Sequence, residues 1–113
     1  MEFFEALDEL VRTSDVVVDR PRGTAHPRYQ EVVYPLDHGY LRGTTGGDGN
    51  GVDVFAGTAR GAGVVGVLLT ADVGKRDAEV KILLDCAPDE AELAREFLAA
   101  LGIGGHLVER VSG

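Results

Sequence analysis

Phe3, Phe4, Leu7, Leu10 and Val11 recur at three- and four-residue spacings between acidic neighbours. That spacing predicts an amphipathic helix over residues 2–12. Thr13-Ser14-Asp15 ends it, and residues 16–18, all valine, then read as a buried strand running into Asp19-Arg20-Pro21. Residues 20–30 hold two prolines, a glycine and three arginines, which is the composition of a loop. A short strand is expected at residues 31–34, closed by Pro35, and another at 39–42. Beyond the turn-rich residues 43–51, strands are expected at 52–56 and 63–70. The connection Gly74-Lys75-Arg76-Asp77 then leads into residues 78–84, where Val80, Ile82 and Leu84 alternate with Glu79 and Lys81. Pro88-Asp89-Glu90 opens a second helix, because proline and acids suit a first turn. Leu93, Phe97, Leu98 and Leu101 would form its buried stripe and Gly102 its cap, with a last edge strand at 106–111.

Short strands with frequent turns and two helices predict a mainly β, α+β chain that curls into a small barrel, since closure removes exposed edges. An open α+β sheet is the alternative. The 113 residues suit one domain spanning 1–113, with neither an internal repeat nor a linker long enough to divide it.

Composition narrows the function classes. Hydrophobic residues at 44% and charged residues at 27% describe an ordinary globular chain. A formal charge of −8 argues against nucleic acid as the partner, while an anionic substrate stays open if bound metal reverses the local field. The single cysteine, Cys86, excludes an intrachain disulfide and reads as a buried, inert thiol. The N-terminus lacks the basic and apolar regions of a signal peptide, and no run spans a membrane, so a cytoplasmic protein is expected, with a homo-oligomer left open.

The candidate chemistry lies in Asp48-Gly49-Asn50-Gly51-Val52-Asp53, followed by Asp72 and Asp77. Carboxylates crowded on a short turn repel each other, and hard divalent cations with oxygen ligands relieve that repulsion. Each motif also has a plainer reading. Asp-Gly-Asn-Gly is ordinary turn chemistry, and Asp72 and Asp77 bracket Lys75-Arg76 as a charged hairpin would. Arg20, Arg22, Arg28 and His26 suit either a solvated loop or an anion site, and Tyr34 and Tyr40 suit either core or site.

The block Tyr34-Pro35-Leu36-Asp37-His38-Gly39-Tyr40, followed by Gly43-Thr44 and the Asp48–Val54 segment, resembles the family I soluble inorganic pyrophosphatases. Asp19-Arg20-Pro21 and Arg28-Tyr29-Gln30 upstream, and Val65-Gly66-Val67-Leu68 with Asp72 and Asp77 downstream, extend the resemblance in the same order. It implies a five-stranded OB-like barrel and hydrolysis of pyrophosphate or a related small phosphoanhydride by a water activated by Mg2+, with Mn2+ as a substitute. It also implies roles residue by residue. Asp48, Asp53, Asp72 and Asp77 fall on magnesium ligands and Asp19 on an outer carboxylate. Arg28 falls on a phosphate-binding lysine, and Tyr34 and Tyr40 on active-site aromatics.

The departures matter equally. Asn50 stands where the family has the acid that accepts a proton from the nucleophilic water, and an amide cannot take that proton. Gln30 replaces a glutamate, His38 a tyrosine and Glu79 a lysine, although Lys81 shares the strand face of Glu79. The resemblance therefore implies weak catalysis, with Asn50, Asp53 and Tyr34 in catalytic positions and Arg28, Lys81, Tyr40 and His38 toward substrate. The alternative is a catalytically impaired module that binds a ligand or a protein.

Overall fold

The computed structural model describes residues 1–111. In chain order its elements are α1 (Phe3–Arg12), β1 (Val16–Arg20), β2 (Asp37–Leu41), β3 (Asp53–Ala56), β4 (Val64–Asp72), β5 (Asp77–Leu84), α2 (Pro88–Ala100) and β6 (Gly104–Glu109). The strands form one sheet in the order β1-β2-β3-β5-β4-β6. Neighbours are antiparallel except β3 and β5, which run parallel.

β1 and β6 are the edges, and no ladder joins them among the described residues. The expected barrel is thus corrected to an open, six-stranded mixed sheet in an α+β fold. The reason lies in the helices. Strand alternation splits the apolar side chains into two groups, one on each face. On one face Val54, Val67 and Ile82 pack with Leu7 of α1. On the other, Phe55, Leu68 and Leu83 pack with Ala91, Ala94, Phe97 and Leu98 of α2. With a helix on each face, the sheet buries its surfaces without closing on itself.

Local chemistry fixes both helices. The Glu2 carboxylate accepts the Phe4 and Glu5 N–H groups at 2.8 and 3.1 Å, satisfying donors that the first turn of α1 leaves free. At α2 the buried Glu90 accepts the Ala87 N–H at 2.9 Å and the Thr58 N–H and hydroxyl at 3.1 and 3.0 Å. It ties the loop after β3 to the start of the helix. Gly102, just past α2, takes φ +79°, the left-handed conformation that glycine allows at little cost.

Two further expectations are corrected. Residues 31–34 form no strand. Residues 21–36 fold back on themselves instead, through Gly23 N–H to Tyr34 O, Tyr34 N–H to Thr24 O and His26 N–H to Val32 O, at 2.9, 2.9 and 2.8 Å. Leu93 is 43% exposed, and the stripe that meets the sheet is built on Ala91 and Ala94, whose small side chains let α2 lie close. No helix among the described residues is long and apolar enough to cross a membrane.

Candidate functional site

Register places a row of polar side chains on the α2 face, beyond the end of the helix. His38 pairs with Phe55 and Tyr40 with Asp53 across β2 and β3. Leu68 pairs with Lys81, Thr70 with Glu79 and Asp72 with Asp77 across β4 and β5. Because side chains alternate, Tyr40, Asp53, Lys81, Glu79, Asp77 and Asp72 share the face that carries Phe55, Leu68 and Leu83. Helix α2 covers the apolar part of that face, and the polar part is the candidate site.

Asp19, Tyr40, Asp48, Asn50, Gly51 and Asp53 line one cavity of about 430 Å³. They come from the end of β1, from β2, from the glycine-rich loop and from the start of β3. That loop lies close to the sheet because its glycines lack side chains. A Cβ on Gly51 would meet the Tyr40 ring at 2.8 Å, and one on Gly47 would meet the Ala78 carbonyl oxygen at 2.3 Å. Asp48 Oδ1 accepts the Asn50 N–H at 2.9 Å, so its carboxylate also shapes the turn. That bond is the main reason its pKa lies below the ordinary value.

Behind Asp53, the Lys81 ammonium donates to Asp53 Oδ2 at 2.7 Å and to Glu79 Oε2 at 3.0 Å. Burial is the largest single influence on Lys81 and acts downward, yet the two carboxylates outweigh it and hold its pKa above the ordinary value. The Glu79 carboxyl is raised, first by burial and then by its closeness to Asp53. Asp77 is raised in the same order of causes, burial first and the charge of Glu79 next.

The remaining expected residues fall around this centre. Asp72 and Asp77 line a separate depression beside Arg76 at the β4–β5 turn. Among the described residues, no three acidic, histidine or cysteine side chains are arranged as a ready cation cage. Tyr34 is buried, its ring 4.5 Å from that of Phe97, and burial raises its hydroxyl pKa while Arg20 partly offsets the shift. His38 lies between the Tyr34 and Phe55 rings, at centroid distances of 5.6 and 4.9 Å. Its Nδ1 is buried without a hydrogen-bond partner, 3.7 Å from Asp19 Oδ1. Burial, and next the Lys81 charge, lower its pKa to about 4, so the imidazole is neutral at physiological pH. Arg28 is exposed, its guanidinium 5.4 Å over the Tyr29 ring, and does not line the cavity. Cys86 is buried, and its thiol is pushed up to about 12, mainly by burial.

The oxygen donors of Asp19, Asp48, Asp53 and Asn50 suit a hard divalent cation. Of the carboxylate oxygens of the lining residues, Asp53 Oδ2 is engaged by Lys81 and Asp48 Oδ1 by the loop backbone. The partner that sequence reasoning did not assign is Glu79. Its alternation with Val80 and its parity with Lys81 are the signal for it. Comparison of the chain with models of protein families, with curated proteins and with solved structures finds no match.

Proposed function

We propose that the chain binds pyrophosphate or a related small phosphoanhydride with Mg2+ in the cavity of Asp19, Tyr40, Asp48, Asn50 and Asp53, and hydrolyses it slowly. The reading rests on one observation above the others. Two stretches of chain remote in sequence, the end of β1 with Asp19 and the segment from Asp48 to Asp53, meet at the wall of one cavity. The likeness of residues 34–40 and 48–54 to soluble inorganic pyrophosphatases supplies the reaction. Asp48 and Asp53, with Asp19 across the cavity, would hold the magnesium. Bound there, it would offset phosphate charge and make water a better nucleophile.

The chain's own residues account for the slowness. Asn50 orients water or substrate through its amide but cannot accept a proton. His38 is absent from the cavity lining and, with its pKa lowered to about 4, is a weak base, so it does not replace the missing one. Lys81 spends its charge on Asp53 and Glu79 and is only in part free for phosphate. Tyr40 forms one wall and leaves its hydroxyl as a hydrogen-bonding group.

Release of inorganic phosphate from pyrophosphate, in Mg2+ and in EDTA, tests this directly. We expect slow release in Mg2+ that stops in EDTA and is lost in Asp53→Asn. Release equal to the spontaneous rate in both conditions would remove the hydrolase reading. A specific observation then favours the second reading, a binding module without turnover: Asn50 lacks a base and Lys81 already neutralises Asp53. Calorimetric binding of pyrophosphate without phosphate release would mark that outcome.

A further inference from the structure

One carboxylate of the cavity, that of Asp53, already has a cation. Lys81 Nζ stands 2.7 Å from Asp53 Oδ2 and 3.0 Å from Glu79 Oε2. The Lys81 and Glu79 side chains are each only 11% exposed, while Asp53, at 19%, opens toward the cavity. The aliphatic stem of Lys81 runs on the sheet face that Leu68 and Leu83 share, so the ammonium is held by packing as well as by charge. The backbone at Gly47 lies against Ala78 and the Glu79 stem and covers the pair from the loop side.

We propose that the Lys81 ammonium is a resident cation that competes with a divalent ion for Asp53, and so sets the cation affinity of the site. This rests on reading the cavity as a cation site, and it assigns a regulating role to a residue that the resemblance places toward substrate. A compact ammonium donates three hydrogen bonds and accepts none. It can satisfy two mostly buried carboxylates that would otherwise repel each other at a high cost. A divalent ion entering beside Asp53 meets that positive charge at close range. Removing the charge leaves Asp53 and Glu79 uncompensated, and a divalent ion then fills the gap.

Mn2+ titration by calorimetry, with melting in EDTA and in Mn2+, tests the competition. The chains compared are the native one, Lys81→Met and Lys81→Gln. Methionine keeps the stem's volume without charge, and glutamine adds a polar end for the carboxylates. The neutral variants should bind Mn2+ at least about tenfold tighter, the scale on which a nearby charge shifts a carboxylate's affinity for a proton. They should melt below the native chain in EDTA and recover in Mn2+, and adding Asp53→Asn should abolish the gain. Equal or weaker Mn2+ binding in the folded variants would overturn the proposal. So would variants that fold in neither condition, since Lys81 would then be a structural cation that no metal replaces. A native chain that binds no Mn2+ beside a variant that does leaves this inference standing and removes metal-dependent hydrolysis. Tight binding that is equal in both has the opposite effect.

Discussion

The part of the sheet face beneath α2 and the part beyond it are built by the same strands, two residues apart. On β3 the step is from Phe55 to Asp53, on β5 from Leu83 to Lys81, and on β4 from Leu68 to Thr70. Under the helix, Phe55, Leu68 and Leu83 are fully buried, and even the Cys86 thiol is silenced. Beyond it, the same parity leaves Asp53, Tyr40, Asp77 and Glu79 half-buried and Lys81 buried but charged. The difference teaches where a site can form on a small sheet. It arises where the covering helix ends, because a strand can present chemistry there while its next inward residues anchor it in the core.

Substitutions along these strands sharpen or break that contrast. The largest effect should come from Phe55→Ala, which empties a fully buried position and should cost about 3–5 kcal/mol in denaturant titration. A cost below about 1 kcal/mol there would deny the covered half its anchoring role.

Next comes Glu90→Ala, which leaves the Ala87 and Thr58 donors at the edge of the covered half without their partner and should cost about 1–3 kcal/mol. Burial, the largest influence on Glu90, acts upward, but the bonds from Ala87 and Thr58 hold its folded pKa below the ordinary 4.5. Its contribution is therefore complete above pH 4.5 and fades as the pH falls through the lower, folded value. Chemical denaturation of both chains across the acid range should show their difference narrowing in that direction. A difference that stays constant would contradict the assignment.

The smallest effect should be that of Thr70→Val, on the part of the face beyond α2, where the side chain is itself buried. Its hydroxyl makes only a long bond, 3.4 Å, to the Glu79 carbonyl oxygen, so the change should stay within about 1 kcal/mol of neutral. A loss as large as that of Phe55→Ala would mean that the two halves do not differ in their tolerance.

Periodicity made much of this legible. The helix near residues 2–12, the strand at 78–84 with its two faces, and the second helix from Pro88 all stand where their spacing predicts them. Sheet closure was not legible, because alternation reports which residues are buried and not what buries them. A helix and a second sheet wall leave the same pattern on Phe55 and Leu83. Residues 31–34 misled for a related reason. Val32, Val33 and Tyr34 are β-formers, but the loop between Pro21 and Pro35 satisfies its backbone within itself. For the site, the resemblance made Asp48, Asp53, Asp72 and Asp77 one set of magnesium ligands with Asp19 outside them, whereas Asp48 and Asp53 share a cavity with Asp19. Asp72 and Asp77 share the face but lie at the far hairpin, in another depression. The charge of Lys81 could be read as free for phosphate, since parity with Glu79 gives a face and not a distance.

The proposed function makes the part of the face beyond α2 a phosphoanhydride site in which Asn50 supplies no base. Phosphate release from pyrophosphate in Mg2+ by Asn50→Asp, measured beside the native chain, tests it most directly. General-base assistance is worth about 10²–10⁴-fold, so the account predicts slow release by the native chain and a gain of at least about tenfold in the variant, both abolished by EDTA. A variant no faster than the native chain, or release in neither, would contradict it.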